Sequence, residues 1–225
     1  MKKVAVYAIL LLVGFSAVAQ NTDTRKLDKF TTISVSEGIE VRLIKGSTYE
    51  AKITARNIDL DEILTEVSGG HLKVHLDGNS HNNVNVSISV RFVSLEGIKA
   101  SSAAGIVSNS VIEASNLKIK ASSAADIDLE IKVSTLDVSA SSAADIVLSG
   151  TADSQTVDIS SASDYKAFDL KSKVADISAS SAADARVSVS ESLDAHASSG
   201  ASVRYKGSPD KLREHSSSGG DVKEY

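Results

Sequence analysis

A five-residue phrase returns seven times in the second half of this sequence, and nothing constrains the fold more. SSAAG begins at Ser101, SSAAD at Ser122 and Ser141, SSASD at Ser160, SSAAD at Ser180, SSGAS at Ser198 and SSGGD at Ser217. Successive copies start 21, 19, 19, 20, 18 and 19 residues apart. A fixed period of this size marks a stacked repeat, in which no single unit can bury its own apolar side and neighbours bury it together.

The flanks of the phrase repeat as well. Leu117, Ile119 and Ala121 precede one copy, Leu136, Val138 and Ala140 the next, and Leu193, Ala195 and Ala197 a later one. Ile127 and Leu129, then Ile146 and Leu148, follow the phrase. Alternation at period two is the pattern of a half-buried β-strand. No 3.6-residue period persists, and Ser, Thr, Val and Asp are poor helix formers. Each unit therefore reads as strand, small-residue corner, strand and a turn such as Ser149-Gly150 or Lys206-Gly207. The expected fold is all-β: a right-handed parallel β-helix (β-solenoid) with coils of about 19 residues. Leucine-rich repeats share the period, but their L-x-x-L-x-L-x-x-N/C pattern is missing. Small side chains suit a sharp corner, and Ser hydroxyls can bond backbone groups there.

Residues 30–95 alternate too, with looser spacing: Ile39, Val41, Leu43, then Leu72, Val74, Leu76, then Val84, Val86, Ile88, Val90. Residues 58–67 fit a helical turn or a strand with acidic ends. This N-terminal β region is either continuous with the solenoid or a cap on it, since a terminal coil exposes an apolar face and unpaired edges. The residue ranges are then 1–19, 20–29 as a short N-terminal segment, and 30–225 as one β-helical unit, irregular over 30–95 and regular over 96–225.

The first nineteen residues read as a secretory signal peptide. Lys2 and Lys3 precede an apolar run from Val4 to Val13, and Ala17-Val18-Ala19 supplies an A-x-A cleavage pattern. The run is shorter than the roughly 20 residues of a spanning helix. Export is expected, to the periplasm, cell surface or medium, with no membrane span after cleavage. Removing the leader leaves 22 basic against 29 acidic residues. That balance argues against a nucleic-acid partner. Cysteine is absent, which excludes disulfides and thiol chemistry.

The order of motifs resembles a known family. F-x-x-I-x-V spans Phe30 to Val35, G-I-x-V spans Gly38 to Val41, and G-x-L-x-V spans Gly70 to Val74. The Ser-small-small-small-Asp corners come next. L-x-A-x-x-S-S-G from Leu193 to Gly200 and R-Y-x-G-x-P from Arg204 to Pro209 close the series. Over residues 30–225 this is similar to the putative auto-transporter adhesin, head GIN domain family of secreted bacterial proteins. The resemblance implies a β-helical fold and an adhesive or cell-surface role, with no catalytic residues. The corners here are S-S-A-A-D where the family favours glycine-rich ones.

Candidate site residues are few. Asp126, Asp145, Asp164 and Asp184 share one position of successive coils, and Asp221 returns to it in the last, with Gly105 and Ser202 interrupting. Stacked carboxylates about 5 Å apart repel by about 1 kcal/mol per pair in water. A cation could relieve this; otherwise each Asp caps its own corner through backbone N–H groups. His71 and His75 face one side of a strand but lie about 13 Å apart, and His81 follows a turn. His196 and His215 occupy equivalent positions before successive corners, where two imidazoles could stack or ligate a metal. Tyr165 and Tyr205 interrupt columns of small residues. Arg186, Arg204 and Arg213 are the sparse arginines of the repeats.

No G-x-S-x-G elbow and no long insertion that would wall a cleft appears. The expectation is a noncatalytic secreted binding module of the envelope or surface, with no cofactor and a polar partner such as a glycan or another protein. A self-assembling envelope scaffold and a degenerate β-helical carbohydrate-active enzyme are the alternatives.

Overall fold

In a computed structural model, residues 21–78 and 84–225 can be described. The leader, residues 1–19, and His81 lie outside them. The strands are β1 (Asn21–Lys26), β2 (Thr32–Val35), β3 (Glu40–Lys45), β4 (Glu50–Arg56), β5 (Ile63–Ser68), β6 (His71–Leu76), β7 (Asn85–Phe92), β8 (Gly97–Ala100) and β9 (Gly105–Ser108). The regular coils follow as β10 (Ile112–Ser122), β11 (Asp126–Ser141), β12 (Asp145–Ile159), β13 (Asp164–Ala179), β14 (Asp184–Ala197), β15 (Ser202–Lys206), β16 (Lys211–Ser216) and β17 (Asp221–Glu224). Residues 58–67 combine both expected forms: a 3-10 turn at Leu60–Glu62 runs directly into β5.

From β8 onward every pairing is parallel, one coil to the next, and in register except for local shifts between β12 and β13 and between β13 and β14. The result is a β-solenoid of about seven turns with coils of about 19 residues. Each long strand serves two faces. In β11, Ile127, Leu129, Ile131 and Val133 point inward, Ser134 and Thr135 both point outward, and Leu136, Val138 and Ala140 point inward again. Side chains alternate strictly, so a one-residue slip in phase reverses which side is buried. Here the slip marks the bend that turns the chain from one face to the other. The interior is one continuous cluster of stacked aliphatic columns.

The Ser-Ser-Ala-Ala phrase makes the opposite edge. Its second and third residues are left-handed in every coil, for example Ser142 at φ 56 and Ala143 at φ 58. The turn closes on itself, as Ala104 N–H donates to Ser101 O at 3.2 Å and Ala183 N–H to Ser180 O at 3.2 Å. Two consecutive positive φ values with this bond define a type I′ turn. Such a turn favours Asn and Gly, because an L-residue in this region costs about 1–2 kcal/mol. The offset comes from the neighbouring coils. Ala143 N–H donates to Ser161 O, Asp145 N–H to Ala125 O and Ser160 N–H to Ala140 O, each at 3.0 Å. Three bonds of about 1 kcal/mol net each balance two strained residues. The fourth residue of the phrase points inward and is fully buried, from Ala104 to Ala201. Ser163 holds that place in one coil, and its hydroxyl donates to Ser160 O and Ala140 O.

Two features differ from the sequence reading. Ser149-Gly150 makes no turn; it lies inside β12, where Gly150 at φ 107 sits against Ile131 and a Cβ would fall 2.0 Å from its carbonyl oxygen. The first half also doubles back. The coil made by β2 and β3 lies between β6–β7 on one side and β8–β9 on the other. Antiparallel β5 and β4–β1 then close that end. Arg25 of β1 ties the two edges together by donating to Leu60 O at 2.8 Å and to Ile63 O. The region is thus both coil and cap.

The corner yields a test. Replacing Ala143 by Gly removes the left-handed Cβ penalty and raises unfolding free energy by about 0.5–1 kcal/mol. Val at the same place lowers it by roughly 2 kcal/mol, because a branched Cβ is least tolerated at positive φ. Thermal or urea unfolding of the two variants reads both signs.

Candidate functional site

Parallel in-register stacking converts every outward position of the repeat into a column. Asp126, Asp145, Asp164 and Asp184 do form one, next to Gly105 on one side and Ser202, then Asp221, on the other. Asp145, Asp164 and Asp184 take their counter-charge from cations two places along the strand of the same or the next coil, not from corner N–H groups. Lys166 bonds Asp145 and lies 3.5 Å from Asp164. Arg186 donates to Asp184 at 3.1 Å. The bond to Asp145 holds the Lys166 ammonium above the ordinary lysine range. The corner N–H groups are already spent on the coil-to-coil ladder.

A groove of about 980 Å³ follows the bent edge across six coils. It arises where two successive side chains turn outward. Its floor is the column Ala114, Val133, Ala152, Ser172 and Val189. Its rims carry Lys132, Lys171, Lys173, Glu113 and Asp153 among serines. Lys173 pairs with Asp153 at 2.7 Å. The sequence reading did not identify this groove. The signal was present as the phase slip, since paired outward residues such as Ser134-Thr135 repeat at the coil period.

Beneath the floor lies a buried polar chain. Tyr165 OH donates to Gln155 Oε1 at 2.8 Å, Gln155 Nε2 donates to Ser172 Oγ at 2.7 Å, and Ser172 Oγ donates to Ser188 O at 2.9 Å. Tyr165 is wholly buried and presents nothing to a ligand. It shares a column with Ile146 and Ala185, and Gln155 one with Leu136 and Ala175, so a small neighbour makes room for each larger side chain. Tyr205 is also nearly buried, its hydroxyl donating to Glu214 at 2.9 Å. Burial and then Glu214 push its ionisation up to about 12.

The histidines fall as their spacing implies. His71 bonds Thr32 Oγ1 at 2.8 Å and His75 lies 3.1 Å from Glu66, so each has a separate partner. His196 and His215 stack with ring centroids 4.5 Å apart and planes 10° from parallel. The structure adds Asp194, which lies on the same side of β14 two residues before His196. Arg213 reaches the same carboxylate at 3.4 Å, and Arg204 lies in register with Arg186. A second cluster absent from the sequence reading sets Lys206 against Phe168 and Tyr225, 4.3 and 4.7 Å from the ring centres. Phe168 sits at the register shift of β12 and β13, which thrusts an aromatic residue outward where other coils have none.

The comparisons with known proteins agree with this architecture. A family model described as "Putative auto-transporter adhesin, head GIN domain" matches residues 29–209, so β16 and β17 lie beyond it. Three solved structures share the fold. A putative adhesin from Bacteroides fragilis is 18% identical with a TM-score of 0.83, covering 92% of this chain and 97% of that one. A putative adhesin from Parabacteroides merdae is 20% identical with a TM-score of 0.76, covering 92% and 96%. A putative lipid binding protein from Parabacteroides distasonis is 19% identical with a TM-score of 0.72, again covering 92% and 96%. Among curated proteins none matches the sequence.

The polar chain and the acidic column predict instability in alkali. Burial raises the Tyr165 hydroxyl above its ordinary 10.0, and Asp145 raises Lys166 above 10.5. Both groups bind their proton more tightly in the folded state, so their stabilisation is complete below about pH 10 and declines as pH rises further. Tyr165→Phe removes its share of that decline. At neutral pH the same substitution costs about 1–3 kcal/mol, because Gln155 Oε1 is left buried without its donor. Urea titrations at neutral and alkaline pH measure both effects.

Proposed function

Because the chain belongs to the auto-transporter adhesin head GIN domain family, we propose that it is a noncatalytic exported binding module whose contact surface is the groove along the bent edge. One observation carries this reading. The groove runs over six successive coils above a column of small and aliphatic residues interrupted by Ser172, with polar and charged side chains on both rims. An extended polar chain, a glycan or a segment of another surface protein, can lie along it and meet one rung of polar side chains every 4.8 Å or so. Serine hydroxyls and the ammonium groups of Lys132 and Lys171 supply hydrogen bonds and positive charge. Lys132 and Lys171 stand on one rim, in register with Glu113 and Thr151, while Lys173 on the other rim is already paired with Asp153. The shallow shape argues for binding over turnover, because nothing walls off a reacting bond from water.

Export rests on the leader pattern of residues 1–19. Among the described residues no helix is long and apolar enough to cross a membrane. Fractionation of the producing cell with surface proteolysis locates the protein. Recovery on the surface or in the medium supports adhesion, and confinement to the periplasm removes it. For a ligand found by glycan array or surface pull-down, exchanging Lys132 and Lys171 for Glu weakens binding at least about tenfold. Unchanged affinity in that variant, with folding intact, rules out the groove.

A second reading, the scaffold, is favoured by the difference between the two ends. Among the described residues β1 and β5 pair on one side only, but Arg25 of β1 ties the two edges together by donating to Leu60 O and Ile63 O. At the other end β16 is exposed throughout, Leu212 is 44% exposed, and β16 and β17 each pair on one side only. Unpaired strand edges are templates for association. Sedimentation velocity separates the readings: a concentration-dependent dimer supports end-to-end assembly, and a monomer at tens of micromolar excludes it.

A further inference from the structure

We propose that Asp194, His196 and His215 form a binding site for a divalent transition-metal ion on the outer side of the last two coils. Their ligand atoms already lie within 4.8 Å of one another. The arrangement follows from the register. Asp194 and His196 are two apart on β14 and so project on the same side, and His215 of β16 is paired directly with His196. In the preceding coils the His196 position holds Ser139, Asp158 and Ser178. Imidazoles on adjacent rungs occur only here among the described coils. His215 also lies beyond residues 29–209, the span that the family model matches.

The Asp194 carboxylate supplies an independent observation. Its Oδ1 is shielded from water and accepts no hydrogen bond, although His196 Nε2 is only 3.0 Å away. Its Oδ2 is the atom that Arg213 approaches, at 3.4 Å. The two oxygens are therefore divided, one toward a solvent-exposed guanidinium and one toward the imidazole pair. A cation held between this unsatisfied carboxylate oxygen and the imidazole nitrogens would give it a ligand partner.

The geometry suits a borderline metal. Zinc–nitrogen bonds of about 2.0–2.1 Å put two coordinated imidazole nitrogens about 3.3 Å apart. The rings stand 4.5 Å apart, so modest side-chain rotations of two exposed residues bring the nitrogens together. Two imidazoles and one carboxylate select Zn²⁺, Ni²⁺ or Cu²⁺ over Ca²⁺ and Mg²⁺, which prefer oxygen ligands. Three protein ligands leave at least one position open to water or to a donor from a partner.

Calorimetric titration of the untagged full-length chain with Zn²⁺ tests this, with Ca²⁺ as the contrasting probe. The expected result is one ion per chain at micromolar free Zn²⁺, no displacement by Ca²⁺, and affinity more than about tenfold weaker in His215→Ala. His71→Ala leaves binding unchanged. In the unsubstituted protein, NMR must show the ring signals of His196 and His215 moving on Zn²⁺ addition while those of His71 stay fixed. Absence of saturable uptake, uptake that survives His215→Ala, or ring shifts confined to other histidines overturns the proposal. The NMR readout remains decisive even if the variants unfold.

Discussion

The solenoid depends on a hydrogen-bond ladder that climbs its corners. Each Ser-Ser-Ala-Ala turn places two L-residues in left-handed backbone, a conformation that an isolated chain would abandon. The N–H of the third residue reaches forward to the next coil, as Ala124 does to Ser142, and that of the fifth reaches back, as Asp126 does to Ala104. A coil is therefore held in its strained shape by both neighbours. The ladder begins at the non-repetitive end, where Gly38 N–H donates to Ser102 O. There the Glu37-Gly38 pair adopts the same left-handed geometry with no serine phrase to announce it. Gly200 and Gly219 appear in the last coils, where one or both neighbours are less complete and less strain can be supported.

Satisfying the corner fixes what the interior can hold. The fourth residue of each turn must be small because it faces inward at the narrow edge, and the strands on either side then fill the space with Leu, Ile and Val columns. One departure is compensated in three dimensions. Tyr165 and Gln155 enter from opposite faces and bond to each other, and Ala185 and Ala175 in the next coil give up the volume. Close packing explains why the exchange is paired: an oversized side chain with no reduced neighbour would force strain. The chain ends at Ser172 and Ser188, which line the groove, so the identity of the interior residues reaches the surface at the candidate site.

The regular half was legible because its information is local and repeated. Seven equivalent phrases give the coil length, the corner, the acidic column and the stacking of His196 on His215. The first half was less legible for a physical reason. Alternation in Leu72, Val74 and Leu76 shows which side of a strand is buried and carries nothing about which strand lies beside it. The position of β2 and β3 between β6–β7 and β8–β9 is a choice among neighbours with equivalent patterns. Ser149-Gly150 reads as a turn because Ser-Gly is ordinary turn chemistry, whereas in the fold the glycine admits the carbonyl of the coil before it. Asp194 carries no mark of its own in the sequence, since acidic residues such as Asp137 and Asp176 recur at its position in other coils. Only the register of β14 and β16 brings Arg213 and His215 to it.

Identical rungs also make length a quantised property. Since coils meet through the same columns and the same ladder, loss or gain of one whole unit of about 19 residues would preserve the corner ladder and the stacked aliphatic columns. A single inserted residue must instead be accommodated as an outward bulge, as happens around Phe168. Descendants of such a gene can therefore grow or shrink in steps of one rung, about 4.8 Å, through unequal recombination between near-identical repeats. The groove would lengthen with each step, and its affinity for an extended partner could be adjusted by copy number alone.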